Sequence, residues 1–163
     1  MDRSYVARND ASRDRLRSLV SSLSDDAFGL IVEGGWTVTA TLAHLAFADR
    51  QIQGWLEEWE RQGIGDSTAL QEWDQAARIR LRGQNDDLLP DWLTADPGSI
   101  GREVVAAADH LDARIESLSP GLTAVILQTS LFGRRRPWVL DRSIHRHEHL
   151  DAIERVLASS ESP

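Results

Sequence analysis

The chain has 163 residues, which is enough for one domain with a sizeable hydrophobic core. Its net charge of −8 disfavours nucleic acid as a partner, and the absence of cysteine excludes disulfides, thiolate metal ligands and a cysteine nucleophile. No apolar run approaches the roughly 18 residues of a membrane span, and the charged N-terminal sequence lacks an apolar signal core. We therefore expect a cytoplasmic protein without membrane contact.

Apolar residues recur at three- and four-residue spacings along four long segments and one shorter one, which predicts amphipathic helices. Thr37 is the predicted N-cap of the second helix, Gly63 ends that helix, and Ser67 or Thr68 is expected to cap the third. The predicted helices span residues 4–23, 38–61, 67–82, 99–118 and 137–158.

The segments between these helices carry weaker patterns. Residues 85–98 contain two prolines and several acidic residues, so a crossover loop is predicted there. Residues 122–132 are apolar and β-prone, and their pattern leaves strand and helix open. Long helices, one long crossover and no convincing sheet predict an all-α four-helix bundle. The bundle would form a single domain over residues 1–158, with a frayed tail over residues 159–163.

Three of the five histidines are candidate metal ligands. His145 and His149 are four residues apart and share one helix face, whereas His147 points away from both. His44 lies in an apolar stretch of the second helix. Three imidazoles leave coordination positions open, as catalytic sites do, and they suit zinc or nickel better than magnesium or calcium. Because such histidine pairs also occur on surfaces by chance, the spacing alone leaves both interpretations open.

Two motifs resemble those of the DinB-like (damage-inducible) metal-binding bundles. Residues 36–45 combine a tryptophan, a short cap and Ala-His-Leu, which is similar to that family's second-helix signature. The pair His145 and His149, followed by Leu150, is similar to its last-helix motif. The resemblance covers nearly the whole chain. It implies a four-helix bundle with one crossover, a metal site formed by His44, His145 and His149, and a homodimer.

The resemblance also implies a range of activities. Some relatives are thiol-dependent transferases or isomerases that use mycothiol, bacillithiol or glutathione, and some protect cells against reactive metabolites. A bound metal would lower the pKa of a water or thiol, which would then act as the nucleophile. We expect a metal-dependent enzyme that transfers a small thiol to an electrophilic metabolite, or hydrolyses it. The alternative is a protein that binds or sequesters such a small molecule without turnover.

Three charged residues are predicted to face the interior beside the histidines: Asp49, Arg142 and Arg146. One interpretation is an internal ion pair that satisfies all three charges. The other is that an arginine binds a carboxylate or phosphate of the substrate or thiol. The two are compatible if each arginine has one role. The run at residues 134–136 is predicted to be a solvated loop, with anion binding as the alternative, and His110 a surface residue. Two tryptophans, at the starts of the second and fourth long helices, are predicted core residues, and the other four either pack in the core or line a pocket mouth or a dimer face.

Overall fold

The computed structural model describes residues 3–134 and 137–160. Helices account for 77% of the described residues, which confirms the predicted all-α class. In chain order the elements are α1 (Ser4–Ser22), a 3-10 helix (Asp26–Gly29), β1 (Ile31–Glu33), β2 (Trp36–Thr37), α2 (Val38–Gln62), α3 (Ser67–Arg80), α4 (Gln84–Leu93), α5 (Pro97–Ser117), α6 (Pro120–Gln128) and α7 (Ser143–Ser160).

The four longest helices form the core of the molecule. α2 packs along α5, α1 contacts both α5 and α7, and α7 returns to α2. Buried leucine, isoleucine and tryptophan side chains fill the interior at both ends of these helices. Fully burying one aliphatic side chain contributes about 1.5–3 kcal/mol, so the many buried side chains of this core contribute strongly to the stability of the fold. No helix in the described part of the chain is long and apolar enough to cross a membrane.

Side-chain caps and a glycine set the helix boundaries near the predicted positions. Thr37 accepts a 3.1 Å hydrogen bond from the Ala40 amide, and Gly63 ends α2 in the left-handed conformation. The start of α3 differs from the prediction. Asp66, rather than Ser67 or Thr68, accepts a hydrogen bond from the amide of the third helical residue at 2.9 Å.

The prolines predicted a loop over residues 85–98. That prediction is wrong, because α4 occupies most of this segment. Pro90 lies inside this helix and removes one backbone hydrogen bond. Leu88, Leu89 and Trp92 nevertheless pack into the core beside α2, and this tertiary packing outweighs the local penalty. The ambiguous apolar residues after Pro120 form the helix α6.

A small hairpin also departs from the sequence prediction, which contained no sheet. β1 and β2 pair antiparallel across Gly34 and Gly35. Both glycines have positive φ angles, 56° and 86°, as a two-residue hairpin turn requires. The hairpin contacts α2, α4 and α7 at the same end of the molecule as the histidine motifs.

The last helix begins six residues later than predicted, at Ser143 rather than at residue 137. Residues 137–141 form a turn in which the Pro137 carbonyl accepts two backbone hydrogen bonds. The buried Asn9 of α1 caps the helix, since its Oδ1 accepts from the amides of Arg142 and Ser143 at 2.8 and 3.2 Å. α7 extends to Ser160, so residues 159–160 of the predicted frayed tail form its last turn, and residues 161–163 lie outside the described chain.

Candidate metal centre

His44, His145 and His149 come together between α2 and α7. One ring nitrogen of each lies within 4.8 Å of the corresponding atoms of the other two. The Nε2 atoms of His44 and His145 are 3.2 Å apart, and the three ring centroids are 4.8–5.2 Å from one another. The i, i+4 pair on α7 and the single histidine of α2 therefore form the triad that the sequence predicts.

Aromatic side chains surround the α2 member of this triad. His44 is buried, and the rings of Trp36 and Trp92 each lie 5.5 Å from its ring in edge-on arrangements. Trp36 comes from the hairpin and Trp92 from α4. The two elements absent from the sequence prediction thus position aromatic rings around His44.

The environment keeps all three imidazoles neutral at pH 7. Burial lowers the pKa of His44 to about 4, and the nearby His149 and Arg142 act in the same direction. Burial, followed by the positive charge of Arg142, holds the pKa of His145 well below its usual range. Burial also lowers the pKa of His149. Only the neutral ring can bind a metal ion, so the three side chains have the required protonation state.

The donor set fits a divalent transition metal. Two imidazole nitrogens bound to one tetrahedral ion at about 2.0–2.1 Å would be roughly 3.3 Å apart. The 3.2 Å between the Nε2 atoms of His44 and His145 is close to that value. The largest separation in the triad, up to 4.8 Å, is wider, so one ring must turn inward before all three bind the same ion.

Arg142 contacts the triad directly. Its Nη2 donates to Nδ1 of His145 at 2.9 Å, and a guanidinium has no acceptor. Nδ1 is therefore the acceptor, and the neutral ring carries its hydrogen on Nε2, facing His44. A metal-bound imidazole ordinarily donates its second N–H to a carboxylate or carbonyl. If the neutral His145 ring binds a metal ion through Nε2, its hydrogen must be on Nδ1. Arg142 must then move away from Nδ1, because it can no longer donate a hydrogen bond to that atom.

A second polar cluster, the charge quartet, lies beside the triad and consists of Asp49, Asp112, Arg142 and Arg146. Their side chains are at most 3% exposed. Asp49 accepts from Arg142 Nε at 3.0 Å and from Arg146 Nη2 at 2.8 Å. Arg146 also donates to both carboxylate oxygens of Asp112, at 2.8 and 2.9 Å. The predicted contact between Asp49 and the arginines is confirmed, and the four charges sum to zero.

The two arginines of the quartet occupy different environments. Burial disfavours the charge of Arg146, but its contacts with Asp49 and Asp112 outweigh burial and raise its pKa. For Arg142 burial dominates and lowers the pKa, because it shares only the Asp49 carboxylate. Arg146 is enclosed, whereas Arg142 lines a cavity beside His145.

Two cavities reach the triad. The first cavity, of about 220 Å³, is lined by His44, His145 and Arg142 among others. The second cavity, of about 360 Å³, is lined by His44, His149 and Trp36 among others. His44 and Asn85 line both. An ion held by three histidines would therefore have space for further ligands on two sides.

Comparison with known protein families bears on this geometry. A family model described as the DinB superfamily matches residues 8–150, from α1 to the second histidine motif on α7. The chain belongs to the DinB superfamily. No curated protein and no solved structure matches this DinB chain.

The other two histidines of this DinB protein, with Glu148 and Arg134, do not belong to the triad. The Nδ1 atom of His147 lies 2.8 Å from a guanidinium nitrogen of Arg15, between α7 and α1. His110 and Glu148 are exposed. Arg134 is exposed, as expected of a solvated loop, and it also lines the first cavity. The other two arginines of that run lie outside the described residues.

The tryptophans divide into two groups. Trp59, Trp73 and Trp92 are buried in the core, as predicted. Trp55 and Trp138, with the hairpin residue Trp36, are only partly buried and line cavities. The aromatic content of the chain therefore serves both packing and the walls around the triad.

The sequence analysis missed Asp112 of the charge quartet. It carries no prediction from the sequence, yet it is 3% exposed and pairs with Arg146. Asp112 follows the buried Val104 and Ala108 at intervals of eight and four residues, which places it on the inward stripe of α5. The helical periodicity could therefore have identified it.

Proposed function

We propose that this DinB protein binds one divalent transition metal ion, zinc or nickel, through His44, His145 and His149. We also propose that α1, α2, α5 and α7 form the four-helix bundle of the superfamily, with α3 and α4 in the crossover. The 3.2 Å separation of two neutral Nε2 atoms is the observation that carries the metal assignment. The family match and the open space on two sides support it.

We further propose that the protein is a metal-dependent enzyme that transfers a low-molecular-weight thiol to a small electrophile, or hydrolyses it. The metal supplies a Lewis acid that makes a bound water or thiol nucleophilic at neutral pH. Because the chain has no cysteine, the thiol must come from outside, and mycothiol, bacillithiol and glutathione are the candidates. Two cavities that share His44 favour a reaction between two separate small molecules.

The side chains around the triad would position the reactants. The rings of Trp36 and Trp92 exclude water from one side of His44. Arg142, once it leaves His145, would offer its donors to an anionic group at the floor of the first cavity. In the proposed substrate site Asp49 holds Arg142 in place through their ion pair, and Arg146 supports it by binding the same Asp49 carboxylate. Neither Asp49 nor Arg146 contacts the substrate in this proposal.

One observation favours the non-catalytic alternative, in which the protein binds or sequesters a small molecule. Asp141 is a carboxylate that lines the first cavity, but it accepts hydrogen bonds from Arg8 and from Ser143 at 2.8 and 2.6 Å. Because each of its two oxygens already accepts a hydrogen bond, the described lining of the first cavity offers no uncommitted carboxylate. The cytoplasmic location stays a prediction from the sequence, and the homodimer and a role in stress or detoxification stay predictions from the resemblance.

Turnover measurements separate the enzyme from the binding protein. Zinc- and nickel-loaded protein would be incubated with each of the three thiols and a panel of small electrophiles, and thiol consumption followed. We expect consumption that needs the metal, falls to background after chelation and is absent in His145→Ala. Product formation that is equal in loaded and chelated protein would contradict the proposal. Stoichiometric binding of an electrophile without turnover would favour the alternative.

A further inference from the structure

The first cavity continues away from the triad into an open depression. This outer cavity, of about 530 Å³, shares four lining residues with the first cavity: Gln51, Asn85, Phe132 and Trp138. The two together form one groove that begins at His44 and His145 and passes over the connection between α6 and α7. Phe132 and Trp138 lie where the two cavities join.

Phe132 is held in an unusual backbone conformation. Its φ angle is 52°, and it is the only non-glycine residue in the described part of the chain whose φ angle is positive. Such a conformation costs about 1–3 kcal/mol and persists only where surrounding contacts impose it. Here the Phe132 amide donates to Asp74 at 2.8 Å, and the ring stacks on Trp55 at 5.4 Å with an interplanar angle of 11°. These contacts keep the Phe132 ring in the wall of the groove.

Trp138 and two arginines complete this wall. The Trp138 ring meets Phe132 edge-on at 5.5 Å, and its indole N–H donates to the Leu131 carbonyl at 3.1 Å. The guanidinium of Arg134 lies 5.5 Å from the Trp138 ring, and that of Arg78 lies 5.7 Å from the Phe132 ring. Flat apolar surfaces and cationic groups therefore alternate along the groove.

The positive charges are not all neutralised. Arg78 pairs with Asp74, and Asp141 in the groove is held by Arg8. Arg134 has no carboxylate partner within residues 3–134 and 137–160, and its charge contributes to the lowered pKa of His145. The Arg134 guanidinium also donates no hydrogen bond within the described residues, so its N–H donors remain available to a carboxylate. Asp86 is the other carboxylate of the groove, and it lines only the outer cavity.

We propose that this groove binds a flat organic anion, namely an aromatic or conjugated carboxylate. Its ring packs against Phe132 and Trp138, and its carboxylate pairs with Arg134. The proposal names the substrate class of the proposed enzyme and rests on that function for the role of the metal. Binding of the anion itself depends only on side chains of the groove, so it persists in chelated protein.

Calorimetric titration of benzoate and cinnamate, each compared with its primary amide, tests the proposal. The titrations use zinc-loaded and chelated protein as wild type, Arg134→Gln and Arg61→Gln. Arg61 is the matched control, an exposed arginine in the last turn of α2. Because a hydrogen bond to a charged group is lost, Arg134→Gln should weaken the carboxylates at least about tenfold. Arg61→Gln should stay within about twofold of wild type. The amides should bind wild type about as weakly as the carboxylates bind Arg134→Gln.

A second measurement locates the ligand. The indole N–H resonance of Trp138, identified by its loss in Trp138→Phe, should shift when cinnamate is added to wild type. Failure of both carboxylates to bind, or equal affinity for wild type and Arg134→Gln, overturns the proposal. Binding that needs zinc and ignores Arg134→Gln shows direct ligation to the metal, which supports the proposed function and overturns this inference. Arg134-dependent binding to a protein that takes up no zinc supports this inference and overturns the proposed function.

Discussion

Two polar clusters lie side by side between α2 and α7, and they differ in how completely their members are satisfied. In the charge quartet, every charged group has an oppositely charged partner within 3.0 Å. In the triad, Nδ1 of His44 is buried and has no hydrogen-bond partner in the described part of the chain, and two cavities adjoin the rings. The comparison indicates that the charges of the quartet satisfy one another, whereas the triad has the unsatisfied nitrogen and the open space that the proposed function requires.

Arg142 belongs to both clusters. It pairs with Asp49 on one side and donates to His145 on the other. Arg146, four residues later, contacts Asp49 and Asp112 and does not line either cavity at the triad. Arg146 therefore has a structural position in the interior, whereas Arg142 has a position at the cavity.

The largest effect should come from breaking the quartet. Asp49→Ala leaves two buried guanidinium groups short of a carboxylate, which we expect to lower the free energy of unfolding by about 3–5 kcal/mol. Asp151→Ala, which removes an exposed partner of Arg15, should change the free energy of unfolding far less, because solvent screens that ion pair. Chemical denaturation measures both, and metal analysis should find the metal content unchanged. A loss below about 0.5 kcal/mol for Asp49→Ala would show that the charges are not buried.

The next largest effect concerns pH. Because the pKa of His44 is about 4 in the folded chain and about 6.5 when unfolded, the unfolded chain binds more protons between these values. Stability in chelated protein is therefore full above about pH 6.5 and falls as the pH drops toward 4. The pKa shift of His44 corresponds to about 3 kcal/mol.

Denaturation of chelated protein at a series of pH values tests this, with His44→Gln and the exposed His110→Gln as a pair. His44→Gln should flatten the acid slope, and His110→Gln should leave it unchanged. Identical slopes in all three proteins would contradict the assigned burial. Because the pKa values of the three histidines are lowered in the folded chain, metal affinity should be lost at a lower pH than the pKa of a free imidazole, which is about 6.5.

Some of the features behind these effects could be predicted from the sequence, and others could not. Helical periodicity predicted that His145 and His149 share one face of α7, because one turn of a helix brings residues four apart together, and that Asp49 lies inward on α2. The α7 boundary escaped prediction, since the capping residue Asn9 lies more than 130 positions away in the sequence. α4 escaped because packing of Trp92 against the core outweighs its proline. Local patterns thus locate the ligands, and distant contacts build the walls around them.

A smaller effect is expected at the residue that the two clusters share. Arg142→Gln removes a positive charge beside the metal position and frees Nδ1 of His145, so we expect metal affinity to rise about tenfold. Arg8→Gln is the control, because Arg8 pairs with Asp141 in the wall of the same cavity and does not touch a histidine. Competition with a zinc-binding dye measures both. A tenfold loss of affinity in Arg142→Gln would show that the arginine supports ligation.

The smallest effect should follow removal of the metal. The helices bury their own core, so chelation should leave the helical circular dichroism signal unchanged, in contrast to zinc fingers, which unfold without metal. Thermal unfolding should still show one cooperative transition. A spectrum of mostly random coil after chelation would show that the triad is a structural site and would remove the contrast between the two clusters.

The metal content of purified protein tests the central assignment most directly. Wild type, His147→Ala and the double variant His145→Ala, His149→Ala would be purified without an affinity tag and analysed by elemental mass spectrometry. We predict one zinc or nickel ion per chain in wild type and in His147→Ala, whose side chain faces Arg15 instead of the triad. The double variant should contain none. Full metal content in the double variant would contradict the assignment.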